Sequence, residues 1–223
     1  MANQLEPSYL RYVYNHLKDG SITSDNASGL PQGFIGLYEQ EFASSTAIQE
    51  RQETLLQLTV FALLRDAVSA SFVADVLNIN TQSIDELIQN HSNWFNSPKS
   101  GVFMLYHDRL RIYLLQKTGN SEVYKLNEQI IAYLQKSIES KKSDEAEYYA
   151  LENLAKHMCF SSELGFGYER LHEFVNQEQL WQRQIQISKG YSWSQNAVQQ
   201  GIKEGARRNH EMNTIRSTVN SVK

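Results

Sequence analysis

Apolar residues recur at helical spacing along most of the chain. Tyr9, Leu10, Val13, Tyr14 and Leu17 follow Pro7, a residue suited to the first turn of a helix, and Asp19-Gly20 closes the segment. A polar stretch from Ser21 to Ser28 separates it from a second helix that starts at Pro31 and carries Phe34, Leu37, Tyr38, Glu41 and Phe42. Ser44-Ser45-Thr46 offers cap residues for a third, longer helix with the stripe Leu55, Leu56, Thr59, Val60, Leu63 and Leu64. Ser69 caps a short helix bearing Phe72, Val73, Val76 and Leu77. Asn80 or Thr81 caps another, in which Ile84, Leu87 and Ile88 face inward.

The period then changes. Trp94-Phe95 reads as a short strand, Asn96-Ser97-Pro98-Lys99-Ser100-Gly101 as a turn, and Val102 to Tyr106 as the returning strand. Phe103 and Leu105 should share one face of the hairpin, Val102 and Met104 the other. Three helices followed by a two-stranded wing make a winged-helix pattern. His107-Asp108 stands where the wing runs directly into an amphipathic helix through Leu115.

Beyond Thr118-Gly119-Asn120 the pattern becomes helical pairs. One helix carries Val123, Leu126, Ile130, Ile131, Leu134 and Ile138. The next, from Asp144 to Cys159, places Tyr148, Leu151, Leu154, Ala155 and Met158 along one side. Shorter helices cover Tyr168 to Val175 and Glu178 to Ser188, and Ser192 or Ser194 opens a last one. The expected fold class is therefore mainly α, with a winged-helix domain and short β-wing followed by helical-repeat-like pairs. Three parts are expected: a helical segment over 1–45, the winged helix over 46–118 and a helical domain over 119–223.

Composition narrows this only slightly. The net charge of −4 gives no general attraction to nucleic acid or anionic membranes. No apolar run approaches the ~18 residues that span a bilayer, and the first residues carry neither a basic region nor an apolar core of a secretory signal. A cytoplasmic setting is expected. The single Cys159, between Met158 and Phe160, allows no intramolecular disulfide and is read as a buried thiol. The histidines are scattered without a His-x-x-x-His pair, and no Gly-x-Ser-x-Gly occurs, so neither a metal centre nor a hydrolytic triad is expected.

The stretch Tyr106-His107-Asp108 resembles the Met-His-Asp box of the STAND ATPases, the group that includes NACHT and NB-ARC proteins. Tyr106 stands at the Met position; His107 and Asp108 match. The resemblance extends over roughly the first 160 residues. Glu6-Pro7-Ser8-Tyr9-Leu10-Arg11-Tyr12 looks like the segment whose proline packs near the adenine, although Leu5 stands where a Gly-x-Pro motif has glycine. The segment from Gly29 to Tyr38 resembles the family's Leu-Pro stretch with its Leu-Tyr pair, and Tyr148 to Met158 resembles the first helices after the winged helix. The pieces stand in the family's order.

The resemblance implies that His107 contacts the β-phosphate of ADP in an intact parent, with Pro7 at the same site's edge. It implies a partner: a nucleotide-binding core in cis or trans. The chain itself has no Gly-x-x-x-x-Gly-Lys-[Ser/Thr] loop and no apolar strand ending in paired acids. It is thus expected to hold no cofactor and hydrolyse no ATP alone; ADP or ATP belongs to the parent. Read from its residues only, His107 is a helix cap ordering the strand-to-helix junction. Asp108 complements the helix dipole, and Arg109 and Arg111 face solvent or bond to neighbouring helices.

Two other classes remain. Tyr168, Trp181, Tyr191 and Trp193 pack helix pairs or line a peptide groove, the mark of a helical protein-binding adaptor. The other class is a winged-helix DNA-binding regulator, which needs a basic recognition helix. The segment Thr81 to Asn90 contains Asp85 and Glu86 but no Lys or Arg, and Lys99 is the lone charge near the wing tip. The basic positions Lys203, Arg207, Arg208, Arg216 and Lys223 read as a solvated helix face. The expected outcome of a gel shift on duplex DNA at low salt is no salt-sensitive binding through this helix. Submicromolar binding lost on changing residues 81–90 would put the regulator first.

Overall fold

The computed structural model describes residues 48–210 continuously, together with isolated positions from Tyr14 to Phe42 and at Thr214 and Thr218. Pro7 and most of the 1–45 segment lie outside the described residues. Within the described residues the chain is mainly helical, with one small antiparallel sheet.

Helix α1 (Ile48–Leu63) enters the core, and β1 (Val68–Ser69) follows after a short loop. Ser69 is also the N-cap of α2 (Ala70–Leu77), its hydroxyl accepting from the Phe72 N–H. Asn78 ends α2 in the left-handed region. Asn80 then caps α3 (Thr81–Asn90) by accepting from the Gln82 N–H. A hairpin follows, β2 (Phe95–Lys99) and β3 (Val102–Leu105), and α4 (Asp108–Thr118) leaves it after two residues.

The sheet order is β1-β3-β2. Val68 pairs with Phe103 and Ser69 with Val102; on the other side Phe95 pairs with Leu105 and Asn96 with Met104. Three details correct the sequence reading. Trp94 belongs not to a strand but to a 3-10 turn, Ser92–Trp94, because its buried ring packs against Tyr38 and Phe42. The expected turn from Asn96 is mostly strand, with a register shift between Asn96 and Lys99. Pro98 lies inside that irregularity on an edge strand, where its missing N–H breaks no ladder bond. Only Ser100 and Gly101 form the tip, Gly101 at φ 78. The third difference is β1 itself, a two-residue strand too short to show a period.

Helix α5 (Asn120–Ser140) follows α4 with Gly119 alone between them. It buries Val123, Leu126, Ile130, Ile131 and Leu134 against α6 (Glu145–Glu163), which Asp144 caps. Three further helices complete the chain: α7 (Tyr168–Val175), α8 (Glu178–Ser188) and α9 (Ser192–Arg207). α7 and α9 both pack on α6, and α8 packs on α9. One continuous apolar core runs from Tyr38 and Phe42 through α1–α6 to Ala197. Among the described residues no helix is long and apolar enough to cross a membrane.

Helix α6 is buried on nearly all sides, which changes its reading. Tyr149, not Tyr148, is the buried tyrosine; Tyr148 is 42% exposed. Cys159 is buried, and burial pushes its thiol up to about 11. In the first segment, the described residues Tyr14 and Leu17 are exposed. The basic end is not a simple solvated face either. Arg207 and Arg208 both donate to the fully buried Glu204 and to the Ser162 carbonyl, while the Ser162 hydroxyl donates to the same carboxylate. Burial alone would raise that carboxyl; these donors hold it at about 2.

A core truncation and a surface truncation separate these environments. Leu58 on α1 is fully buried, so Leu58→Ala should cost ~2–5 kcal/mol in chemical denaturation. Tyr148→Ala should stay within ~0.5 kcal/mol of the parent chain.

Candidate functional site

The junction between the β2–β3 hairpin and α4 is assembled from both sides. Leu105 is buried, and the Tyr106 N–H donates to the Trp94 carbonyl at 2.8 Å, which anchors the end of β3 on the 3-10 turn. His107 then takes an extended conformation, φ −142 and ψ 136, and caps α4. Its Nδ1 accepts from the Arg109 N–H at 3.1 Å. That bond requires an unprotonated Nδ1, so the neutral ring carries its proton on Nε2. Asp108 is the first residue of α4, where its charge complements the dipole. The cap expected from the residues alone is thus present in the geometry.

A small open cleft lies against this junction. Arg65 and Asp66, just past α1, line it with Met104 of β3 and with His107, Asp108 and Arg111. Arg111 stands one turn after His107, so both reach the same side of α4. Its Nε donates to the Ala62 carbonyl. Burial lowers the pKa of the Arg111 guanidinium, and the charge of Arg65 lowers it further; Asp108 and Tyr149 act the other way. The Arg65 guanidinium lies 5.9 Å from the centre of the Phe160 ring, and its Nε is buried with no hydrogen-bond partner. Asp66 accepts from Asn153 Nδ2 at 2.9 Å. Met104 and Tyr106 stand exposed beside His107.

Behind the cleft runs a buried chain of hydrogen bonds. The Arg65 N–H donates to the Tyr149 hydroxyl at 2.9 Å. Tyr149 Oη is 3.0 Å from His157 Nε2, and His157 Nδ1 is 2.8 Å from Asn127 Oδ1. Asn127 Nδ2 donates to the His157 carbonyl and to Ser161 Oγ, and Ser161 donates to Glu128. Arg170 of α7 grips the same carboxylate with two nitrogens. Burial would raise the Glu128 pKa, but Arg170 and Ser161 bring it below the ordinary value. One direction of donation satisfies every member: Tyr149 donates to Nε2, and the Nδ1–H of a neutral His157 donates to Asn127.

The sequence reading named His107, Asp108, Arg109 and Arg111 but missed Arg65 as their neighbour, because no local spacing joins the end of α1 to the start of α4. It also missed the buried chain. A signal for part of it was available: Glu145, Tyr149, Asn153, His157 and Ser161 recur every four residues along the helix. Pro7 lies outside the described residues, so the structure does not place it beside His107. No family model, no curated protein and no solved structure matches the chain.

The neutral His157 makes stability depend on pH. Burial, then the charges of Arg65, Arg111 and Lys156, depress its pKa to about 3 from an ordinary 6.5. Between those values the unfolded chain binds a proton that the folded chain refuses. Stability should therefore fall as pH drops below the ordinary histidine range, by up to ~1.4 kcal/mol per pH unit from this group. Urea midpoints measured from neutral pH into the mildly acidic range should show a shallower slope for His157→Gln than for the parent chain. Equal slopes would contradict a neutral buried His157.

Proposed function

We propose that the chain is a regulatory region of a STAND-type nucleotide-dependent switch, the part that follows the nucleotide-binding core. One observation carries this reading. The order α1-β1-α2-α3-β2-β3, with sheet order β1-β3-β2, supports reading this region as a winged helix. His107 caps the helix that leaves its wing, the place the Met-His-Asp resemblance requires. Nδ1 is committed to the cap, so Nε2–H is the donor toward a β-phosphate of ADP in the parent. The adjoining helices α5–α9 take the part of a helical sensor region that meets a protein partner. The core, in cis or trans, would cover exposed Met104 and Tyr106. The setting is cytoplasmic. This chain alone hydrolyses no ATP, and nucleic acid and membrane are not its partners.

A second reading is a stand-alone helical adaptor. It is favoured by Tyr148, Phe166 and Tyr191, which are exposed on and between the later helices.

The two readings separate at His107. A hydrogen bond to a charged group contributes ~1.5–3 kcal/mol, or about ten- to a hundredfold in an equilibrium. If ADP holds the closed state through His107, its loss shifts the population toward the open state by that differential affinity. His107→Ala in the intact parent or reassembled complex should lower ADP affinity and raise basal output by this order, while the chain itself stays folded. Unchanged affinity and output would leave His107 as a helix cap and put the adaptor first.

A further inference from the structure

We infer that Arg65 and Arg111 form a phosphate-binding site in the cleft beside His107. The two residues come from separate elements, the end of α1 and the second turn of α4, and line one small cleft. Folding thereby brings two like charges together and withdraws them partly from water. Such an arrangement is costly without an anion. Neither guanidinium forms an ion pair or a carboxylate hydrogen bond among the described residues. Arg111 spends only Nε, on the Ala62 carbonyl. The Arg65 Nε is buried without a partner.

The neighbouring acids do not take the anion's place. Asp66 and Asp108 are exposed and screened by solvent, and Asp66 accepts from Asn153. The half-buried guanidinium groups are screened less. Their burial and mutual repulsion agree with the lowered basicity of Arg111. The ligand chemistry follows from the donor count. Each guanidinium has five N–H donors in a planar fork. Two forks entering from different elements offer more donors than the two oxygens of a carboxylate can use. A phosphoryl group offers three terminal oxygens in a tetrahedral arrangement.

The inference rests on the switch reading only in taking a nucleotide diphosphate as the anion's source. The site can therefore be tested on the full chain alone, by calorimetric titration with inorganic phosphate, pyrophosphate, ADP and adenosine. Pyrophosphate and ADP should bind, and adenosine should not. Tighter binding of ADP than of pyrophosphate would point to a nucleotide, and equal binding to a free anion; both support the site. Arg111→Gln should weaken binding at least about tenfold. Arg109→Gln, an equal loss of charge at an exposed position on the same helix, should leave it unchanged. Arg65→Lys keeps the charge, lacks the fork and should also bind more weakly; it serves where a neutral residue at position 65 unfolds the chain.

Far-ultraviolet circular dichroism fixes which variants remain folded. No binding of pyrophosphate or ADP at millimolar concentration would overturn the inference, and so would binding indifferent to both arginines. Failure of the switch reading is a different result: His107→Ala leaves the parent's ADP response intact while anion binding by this chain still depends on Arg111.

Discussion

The fold depends on how α6 satisfies its polar atoms. That helix packs between α5, α7 and α9; it carries Glu145 at its exposed start and then, at intervals of four, the buried Tyr149, Asn153, His157 and Ser161. A buried polar group without a partner costs more than most core contacts contribute. Four residues of helix turn through about 400°, so this row rotates by roughly 40° at each step. Its partners change accordingly. Glu145 accepts from the Ser69 N–H and hydroxyl at the β1–α2 junction, Tyr149 from the Arg65 N–H, and Asn153 donates to Asp66. One turn later His157 meets Asn127 of α5, and Ser161 meets Asn127 and Glu128. The row begins against the sheet and ends against α5 and Arg170. A slip of α6 by one residue would strand most of these groups at once, whereas an apolar seam would tolerate it. The polar row therefore sets the register between the first and second halves of the chain.

The same geometry explains what could be read without coordinates. Elements with one wet face and clear punctuation were legible. Ser69 and Asn80 mark the starts of α2 and α3, and the left-handed Asn78 separates them. Gly101 marks the tip of the β2–β3 hairpin. An element with only a narrow wet edge lost its phase. On α6, adjacent tyrosines offered two equally apolar stripes, and only the partners at Arg65 and His157 select Tyr149 for burial. Trp94 was misplaced for a related reason. An aromatic residue before a turn has the composition of a strand, but its ring is required by Tyr38 and Phe42 from a distant segment.

The candidate site was half legible by the same logic. His107, Asp108 and Arg111 fall within one helical turn and are visible as a local cluster. Arg65 joins them only because β3 pairs with β1 just after it and α1 packs on α4. Its backbone N–H is held by Tyr149, and the residue lines the cleft. The residue that could not be found locally thus connects the cleft to the polar row of α6, as Asp66 does through Asn153.

This connection constrains how the cleft can respond to a ligand. The Arg65 backbone is tied to a continuous chain of hydrogen bonds that ends in the Glu128–Arg170 pair between α5 and α7. Small displacements there are poorly tolerated, because a shifted donor loses its bond outright. The side chain is freer: its Nε makes no bond, and Phe160 offers a broad apolar surface. An anion in the cleft would therefore be met first by movement of side chains over a fixed backbone. Any effect passed to α7 would require breaking the register of the polar row as a unit. The physical arrangement thus favours movement of α6 as a unit over a continuous range of small shifts.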